Sequence, residues 1–249
     1  MKKYRRITAE GAAVDRYVRV EDGGEKQRIA FTKMHGCAND YVYISCFDQP
    51  VRDFSALAVY LSDRHTGIGG DGVIFICPSE VADARMPMFN LDGSEGMMCG
   101  NGIRCVAKYL FDNGIAKGQK VGEGRHVLHI DTKSGVKECT VITKTGLVSK
   151  VTVDMGKAEL APEKVPVRLE GEKVVNKPIS IGGNVYRITC CSMGNPHCTV
   201  FVPSVDKLDL EDLGPKFEHD PMFPDRVNVE FVEVIDQHTL KARIWERGS

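Results

Sequence analysis

The chain has 249 residues, 42% of them hydrophobic and 27% charged, with a formal net charge of −1. That length can bury a sizeable core in one large or two modest domains, and the balanced charge argues against nucleic acid or a membrane as a partner. No apolar run reaches the roughly 18 residues of a membrane span, and basic Met1-Lys2-Lys3 runs into Tyr4-Arg5-Arg6 instead of an apolar signal core, so a cytoplasmic protein is expected.

Residues 1–30 carry eight Lys/Arg and five Asp/Glu and few large apolar side chains. They read as an appended arm of uncertain order, with Tyr17 to Val20 alternating like a strand before the turn at Asp22-Gly23-Gly24. Strands are predicted over Ile29–Met34, Tyr41–Phe47, Val73–Cys77 and Met86–Leu91. A helix is predicted over Phe54–His65, with Asp53 or Ser55 as its cap and Gly67 as its stop. A second helix runs over Asn101–Asn113, where Ile103, Val106, Ala107, Leu110 and Phe111 recur at helical spacing. After Gly114 the chain turns β-rich, with strands predicted over 127–131, 136–143, 148–154, 184–191, 199–202, 227–234 and 239–245. Residues 157–177 read as turns and short strands. Many short strands with few helices argue for an α+β fold.

Nine cysteines, an odd count without a secretion signal, predict free thiols. Cys190, Cys191, His197 and Cys198 lie close in sequence but form no paired C-x-x-C sets, so no metal is expected.

Cys99 stands apart. It opens the run Cys99-Gly100-Asn101-Gly102, immediately before a predicted helix, and a helix N-terminus stabilises a thiolate. The backbone N–H groups of Gly100 to Ile103 are placed to bind a carboxylate. Cys105, inside the helix, is predicted core. Five asparagines, Asn39, Asn90, Asn101, Asn195 and Asn228, sit at turns or strand ends. Turn chemistry explains each one singly, but several amides beside one reactive thiol suit a small zwitterionic ligand. His197, read as lying on a turn, is either a base or a solvated loop residue. Arg247, beside Glu246, is either surface or a bidentate carboxylate contact. Gly67 to Gly72 lacks both the P-loop and the dinucleotide patterns, which excludes nucleotide binding.

Five segments together resemble diaminopimelate epimerases. They are Phe31–Asp40 (FTKMHGCAND), Arg64–Asp71 (RHTGIGGD), Phe89–Cys105, Gly194–Cys198 (GNPHC), and Arg226–Asn228 with Glu246–Gly248. The resemblance implies two similar α/β halves, each a β-barrel-like sheet around a central helix, with the substrate in a cleft. The implied division is an arm over 1–30, a first half over 31–147 and a second, incomplete half over 148–249. It implies cofactor-independent epimerisation of diaminopimelate, an intermediate of lysine and peptidoglycan precursor synthesis, with Cys99 as one of two catalytic cysteines and His197 as its partner. It matches Asn39, Asn90, Asn195, Asn228, Glu246 and Arg247 to substrate contacts and Gly100-Asn101 to a carboxylate-binding helix start. Glu246 also matches the residue that assists the second cysteine. A small-molecule amino acid is the implied partner, and a homodimer is compatible with the pattern.

Two departures accompany the resemblance. Gly72 stands where many members carry a substrate-contacting Gln, and the family's second Ala-Cys-Gly-Thr-Gly motif is not among the 249 residues. The implied expectation is that this chain lacks the second thiol and epimerises poorly or not at all. Another two-cysteine racemase, a PhzF-like isomerase, or a non-catalytic amino-acid-binding protein remain open as alternatives. A faint likeness between Met34–Gly36 leading to Asn39–Tyr41 and Met193–Asn195 leading to Pro196–Cys198, each a Gly/Asn turn beside an apolar strand, hints at internal duplication.

Overall fold

The computed structural model describes residues 16–22 and 25–247. The first fifteen residues of the expected arm lie outside the described residues. The chain divides into two compact units, Met1–Met155 and Gly156–Ser249. The boundary expected at 147/148 instead falls at the start of a strand that stays with unit 1.

Unit 1 begins with the strands β1 (Arg16–Asp22), β2 (Glu25–Gly36) and β3 (Asn39–Ser45), then helix α1 (Phe54–Ser62). The strands β4 (Gly72–Ile76), β5 (Ala84–Arg85), β6 (Met88–Asn90) and β7 (Glu95–Gly96) lead into helix α2 (Gly100–Asp112). The strands β8 (Gln119–Gly122), β9 (Arg125–Thr132), β10 (Gly135–Lys144) and β11 (Leu147–Val153) complete it. One six-stranded sheet has the order β1-β2-β3-β4-β6-β7, and a five-stranded sheet has the order β11-β10-β9-β5 with β8 also paired to β9. The arm is therefore structured in part. β1 pairs antiparallel with β2 from Arg16↔Phe31 to Asp22↔Glu25, and Val18 is buried.

β3 and β4 are parallel and bury both faces, which explains their unbroken apolar runs. On one face Val42, Ile44, Val73 and Phe75 share a core with Leu57, Ala58 and Leu61 of α1. On the other, Tyr43 and Ile74 pack with Ile103, Val106, Ala107 and Leu110 of α2, and the same cluster reaches Leu128, Ile130, Cys139 and Val141 of the second sheet. α2 is thus the central helix of unit 1, covered by both sheets. α1 ends at Ser62, short of the predicted His65. The Asp63 carboxylate accepts the N–H groups of His65 and Thr66, a local alternative to helical bonding.

Unit 2 holds a 3₁₀ turn (Pro162–Lys164), the strands β12 (Lys177–Ile181), β13 (Asn184–Ser192) and β14 (Pro196–Phe201), helix α3 (Leu210–Glu218), and the strands β15 (Asn228–Val234) and β16 (Leu240–Trp245). Its sheet runs β12-β13-β14-β15-β16. Ile188, Cys190, Val200, Val229 and Phe231 pack with Phe217 of α3 in its core. Helix α3 was not predicted, because Gly214-Pro215 in its middle reads as a break.

The two units repeat one topology. β2 and β3 are antiparallel, α1 crosses to a parallel β4, and β6 returns antiparallel. β13 and β14 are antiparallel, α3 crosses to a parallel β15, and β16 returns antiparallel. Registers correspond too. Tyr41 opposes Gly72 as His197 opposes Asn228. Val73 opposes Phe89 as Val229 opposes Trp245, so Asn90 and Glu246 hold equivalent places one residue further on. The duplication hinted at by the turns is a repeat of the whole ββαββ motif.

Candidate functional site

In unit 1 the site is built on the first turn of α2. Cys99 is the N-cap residue, extended at φ −129° and ψ 115°, and half-buried. Its sulfur accepts the Gly102 N–H at 3.3 Å, and its carbonyl accepts the Ile103 N–H at 2.9 Å. Two of the four amides expected to face a carboxylate are therefore spent on Cys99 itself. Helix geometry leaves the N–H groups of Gly100 and Asn101 without an intrahelical acceptor. Bare backbone is required at the next position as well, since a Cβ on Gly102 would meet Ile74 Cδ1 at 2.5 Å.

Asn39 is brought to the same place by the β2–β3 turn. The Cys99 thiol donates to Asn39 Oδ1 at 3.7 Å. The two turn residues, Cys37 and Ala38, both have positive φ, 53° and 70°, the sign pattern of a type I′ hairpin. Gly36 lies so close to α2 that a Cβ there would meet Asn101 O at 3.0 Å. Asn101 Oδ1 accepts from Arg104, one helical turn on. Asn90 ends β6, and its amide donates to Ser94 Oγ at 3.0 Å. It braces the turn to β7 and makes no hydrogen bond to Cys99.

Beneath Asn39 lies a charge cluster. Asp40 pairs with Lys33 at 2.6 Å and with Arg64 at 2.8 Å, and Arg64 also reaches Asp71 at 2.8 Å. The Arg64 hydrogen bond, aided by Lys33 and opposed by partial burial, holds the Asp40 carboxyl down at about 2. The Asp40 N–H donates to Asp71 Oδ2 and the Asp71 N–H to Asp40 O. The glycine loop thus serves to lock the start of β3. A Cβ on Gly70 would meet Lys33 Nζ at 2.6 Å, and one on Gly72 would meet Phe89 O at 2.2 Å. A side chain at 72 needs a different local backbone.

In unit 2, His197 lies on β14, where a turn was expected. It pairs with Cys191 of β13 and Asn228 of β15, so the ladder fixes its position. Its Nδ1 is 2.6 Å from Glu230 Oε1, and its Nε2 is 2.8 Å from Asn195 Oδ1. Asn228 is buried. It donates to Pro196 O at 2.9 Å and accepts the Arg247 N–H at 2.9 Å, which ties the end of β16 to the start of β14. The Arg247 guanidinium contacts Asp225 O at 3.1 Å. Glu246 is exposed and makes no hydrogen bond or ion pair among the described residues.

Four further thiols are held in their protonated form. Burial pushes the Cys105 and Cys191 thiols up and the Cys139 thiol up to about 12. A hydrogen bond with Cys190, then burial, raises Cys198. These groups stay protonated at neutral pH. All nine cysteines are unpaired, and no three His, Cys, Asp or Glu among the described residues are grouped to hold a metal.

The family model described as diaminopimelate epimerase matches residues 31–161 and 189–249, which include Cys99 and His197. The chain belongs to the diaminopimelate epimerase family. A relative of that name from Acetivibrio thermocellus is 49% identical over 219 residues, covering 88% of this chain and 76% of the relative. One from Desulfovibrio desulfuricans is 46% identical over 227 residues, covering 89% and 77%. One from Methanococcus maripaludis is 44% identical over 219 residues, covering 88% and 76%. The protein is an isomerase of this family.

Solved structures agree on the fold. A probable proline racemase from Agrobacterium radiobacter superimposes with a TM-score of 0.56 at 14% identity, over 87% of this chain and 70% of that one. A PhzF-family phenazine biosynthesis protein from Bacillus anthracis gives 0.53 at 19% identity, over 86% and 70%. The racemase and PhzF readings left open by the sequence thus share this family's architecture, while the far higher identities lie with the epimerases.

The structure joins Cys99 with Asn39 and Gly100-Asn101 in unit 1, and His197 with Asn195, and Asn228 with Arg247, in unit 2. Sequence reasoning missed Glu230. No local motif marks it, and only the β14–β15 register carries it to His197.

Proposed function

We propose that the protein interconverts L,L- and meso-2,6-diaminopimelate by proton transfer at the α-carbon, without a pyridoxal cofactor, in lysine and peptidoglycan precursor synthesis. The observation that carries this reading is the placement of Cys99. Its sulfur sits at the N-cap of α2 and is bonded by the Gly102 N–H and the Asn39 amide. The Gly102 N–H can donate to the sulfur whether or not the thiol holds its proton. A thiol with one fixed donor, the Gly102 N–H, and one fixed acceptor, Asn39 Oδ1, can therefore take or return a proton with little reorganisation.

The α-proton of an amino acid is weakly acidic, so the carbanion needs electrostatic support. The N–H groups of Gly100 and Asn101, at the positive end of α2, are proposed to hold the α-carboxylate and stabilise charge spreading onto it. Asn39 and Asn90 contact the substrate from unit 1 strand ends. Asn195, Asn228, Glu246 and Arg247 contact it from the equivalent strand ends of unit 2, with His197 as a base in the proton transfer and Glu246 assisting. The matched positions of Asn90 and Glu246 in the two ββαββ motifs support paired roles.

The test is exchange of the diaminopimelate α-proton with D2O, followed by NMR. Loss of a positioned acid/base group removes on the order of 100-fold or more of rate, so Cys99→Ser should lose exchange by that factor. Wild-type exchange in C99S, or equal exchange with proline, would remove the assignment.

A further inference from the structure

We propose that Glu230 is the positioning residue of His197, holding the imidazole so that Nδ1 keeps its proton and proton traffic runs through Nε2. This rests on the reading of His197 as a base. Three observations carry it.

The first is geometry. Glu230 Oε1 lies 2.6 Å from Nδ1, a charge-assisted contact, and both residues stand on central strands of one sheet. His197 pairs with Asn228 in the parallel β14–β15 ladder, and Glu230, two residues on, shares a face with it. Neither side chain depends on a loop for its place.

The second is the cost of the arrangement. The Glu230 and His197 side chains are 19% and 26% exposed. Glu230 Oε2 is buried and meets no donor among the described residues. A carboxylate in that setting is expensive to desolvate and gains little stability from one neutral partner. It fits best beside a ring that carries positive charge for part of a cycle.

The third is the partner of the other nitrogen. Nε2 faces the Asn195 amide at 2.8 Å. A carboxylate accepts but cannot donate, so Nδ1 is protonated in both states of the ring. With Nε2 protonated, it donates to Asn195 Oδ1 across the 2.8 Å contact. With Nε2 bare, the Asn195 NH2 must turn toward it, or Asn195 must leave for the substrate. The proton taken up at Nε2 is the proton given back there, and Glu230 stays a carboxylate throughout. Among titratable groups, two thiols interact with the pair. Cys191 on β13, raised first by burial, and Cys198 on β14, raised first by its hydrogen bond with Cys190 and by burial, are both pushed further up by the Glu230 charge.

The experiment combines ring spectroscopy with kinetics on the full chain. Two-bond ¹⁵N–¹H spectra of histidine-labelled protein, with His197 assigned by its loss in His197→Asn, read the tautomer directly. Wild type should show Nδ1–H. Glu230→Leu should shift the ring toward the Nε2–H form and lower kcat on the order of 10- to 100-fold, the usual effect of removing an orienting partner, with KM little changed. Glu230→Asp should restore part of kcat, and circular dichroism of E230D and E230L checks that both fold. In the H197N background, E230L should add no further loss. An unchanged tautomer with unchanged kcat in E230L, or a loss that multiplies with that of H197N, overturns the inference. Full turnover by H197N would instead sink the reading of His197 as a base, while the ring spectra still decide whether Glu230 sets its tautomer.

Discussion

The Cys99 sulfur and the Gly102 N–H meet at 3.3 Å, so the side chain that caps α2 is also the one assigned the proton transfer. Capping and catalysis can be separated by substitution. Serine is a preferred N-cap and alanine is not, a difference of about 1 kcal/mol. Cys99→Ser should therefore keep the melting temperature while turnover collapses, and Cys99→Ala should lose both. Paired thermal melts and exchange assays check this. A C99S variant as destabilised as C99A would mean the sulfur does not act as the cap.

Gly102 is held small by a contact behind the helix. A Cβ there would lie 2.5 Å from Ile74 Cδ1, on a fully buried strand residue that cannot yield easily. Gly102→Ala should cost about 1–3 kcal/mol, the range for overpacking a dense core. It should also lower kcat, because the displaced first turn carries Cys99. A stable, fully active G102A would show that the turn can move without effect.

The turn that carries Asn39 is strained by its sequence. Positive φ at both Cys37 and Ala38 suits Asn-Gly far better than Cys-Ala. Replacing the pair by Asn-Gly should stabilise the protein by about 1 kcal/mol and leave exchange intact, since neither side chain is assigned a role. Denaturant titration measures the first outcome. A fall in activity would assign the Cys37 thiol or its contact with Arg104 a function.

What was legible in the sequence is what local periodicity encodes. α2, β3 and β4 declare themselves through apolar spacing, and Cys99-Gly100 through its place before a helix. α3 was hidden because its Gly214 answers to Trp245, far along the chain, and its Pro215 overrides propensity only with help from burial of Phe217 and a cap from Asp209. His197 was misread as loop because Gly194-Asn195-Pro196 carries turn chemistry right up to the strand. The register puts Pro196 opposite Ser192 at the strand's first residue, where proline is tolerated. Glu230 was invisible for the same reason. Its meaning lies in a parallel ladder, and nothing at positions 228–232 hints at a histidine partner.

Acid should loosen unit 1 at the Asp40 cluster. The Arg64 pair holds the folded carboxyl at about 2, whereas an unfolded aspartate titrates near 3.9. A depressed folded value means stability that is full above about pH 4 and lost as pH falls toward about 2. Arg64 is 58% exposed, so screening limits the effect to about 1 kcal/mol or less. Asp40→Asn should flatten the pH dependence of the melt over that window and weaken its salt dependence. An identical pH profile in D40N would assign the acid sensitivity elsewhere.

Unit 2 offers a single optical reporter, because Trp245 is the only tryptophan. Its ring lies against Gly214 of α3, where a Cβ would come within 2.2 Å of Cδ2, and its indole N–H donates to the fully buried Glu218 at 2.7 Å. Gly214→Ala must push the ring off the helix, at a cost of about 1–3 kcal/mol. Glu246 and Arg247 follow Trp245 directly, and Arg247 is fixed through Asn228. Displacing the ring should therefore raise KM for diaminopimelate more than it lowers kcat, together with a red shift and loss of intensity in the fluorescence. If G214A shifts the emission but leaves KM unchanged, the end of β16 does not hold substrate, and the proposed roles of Glu246 and Arg247 fail with it.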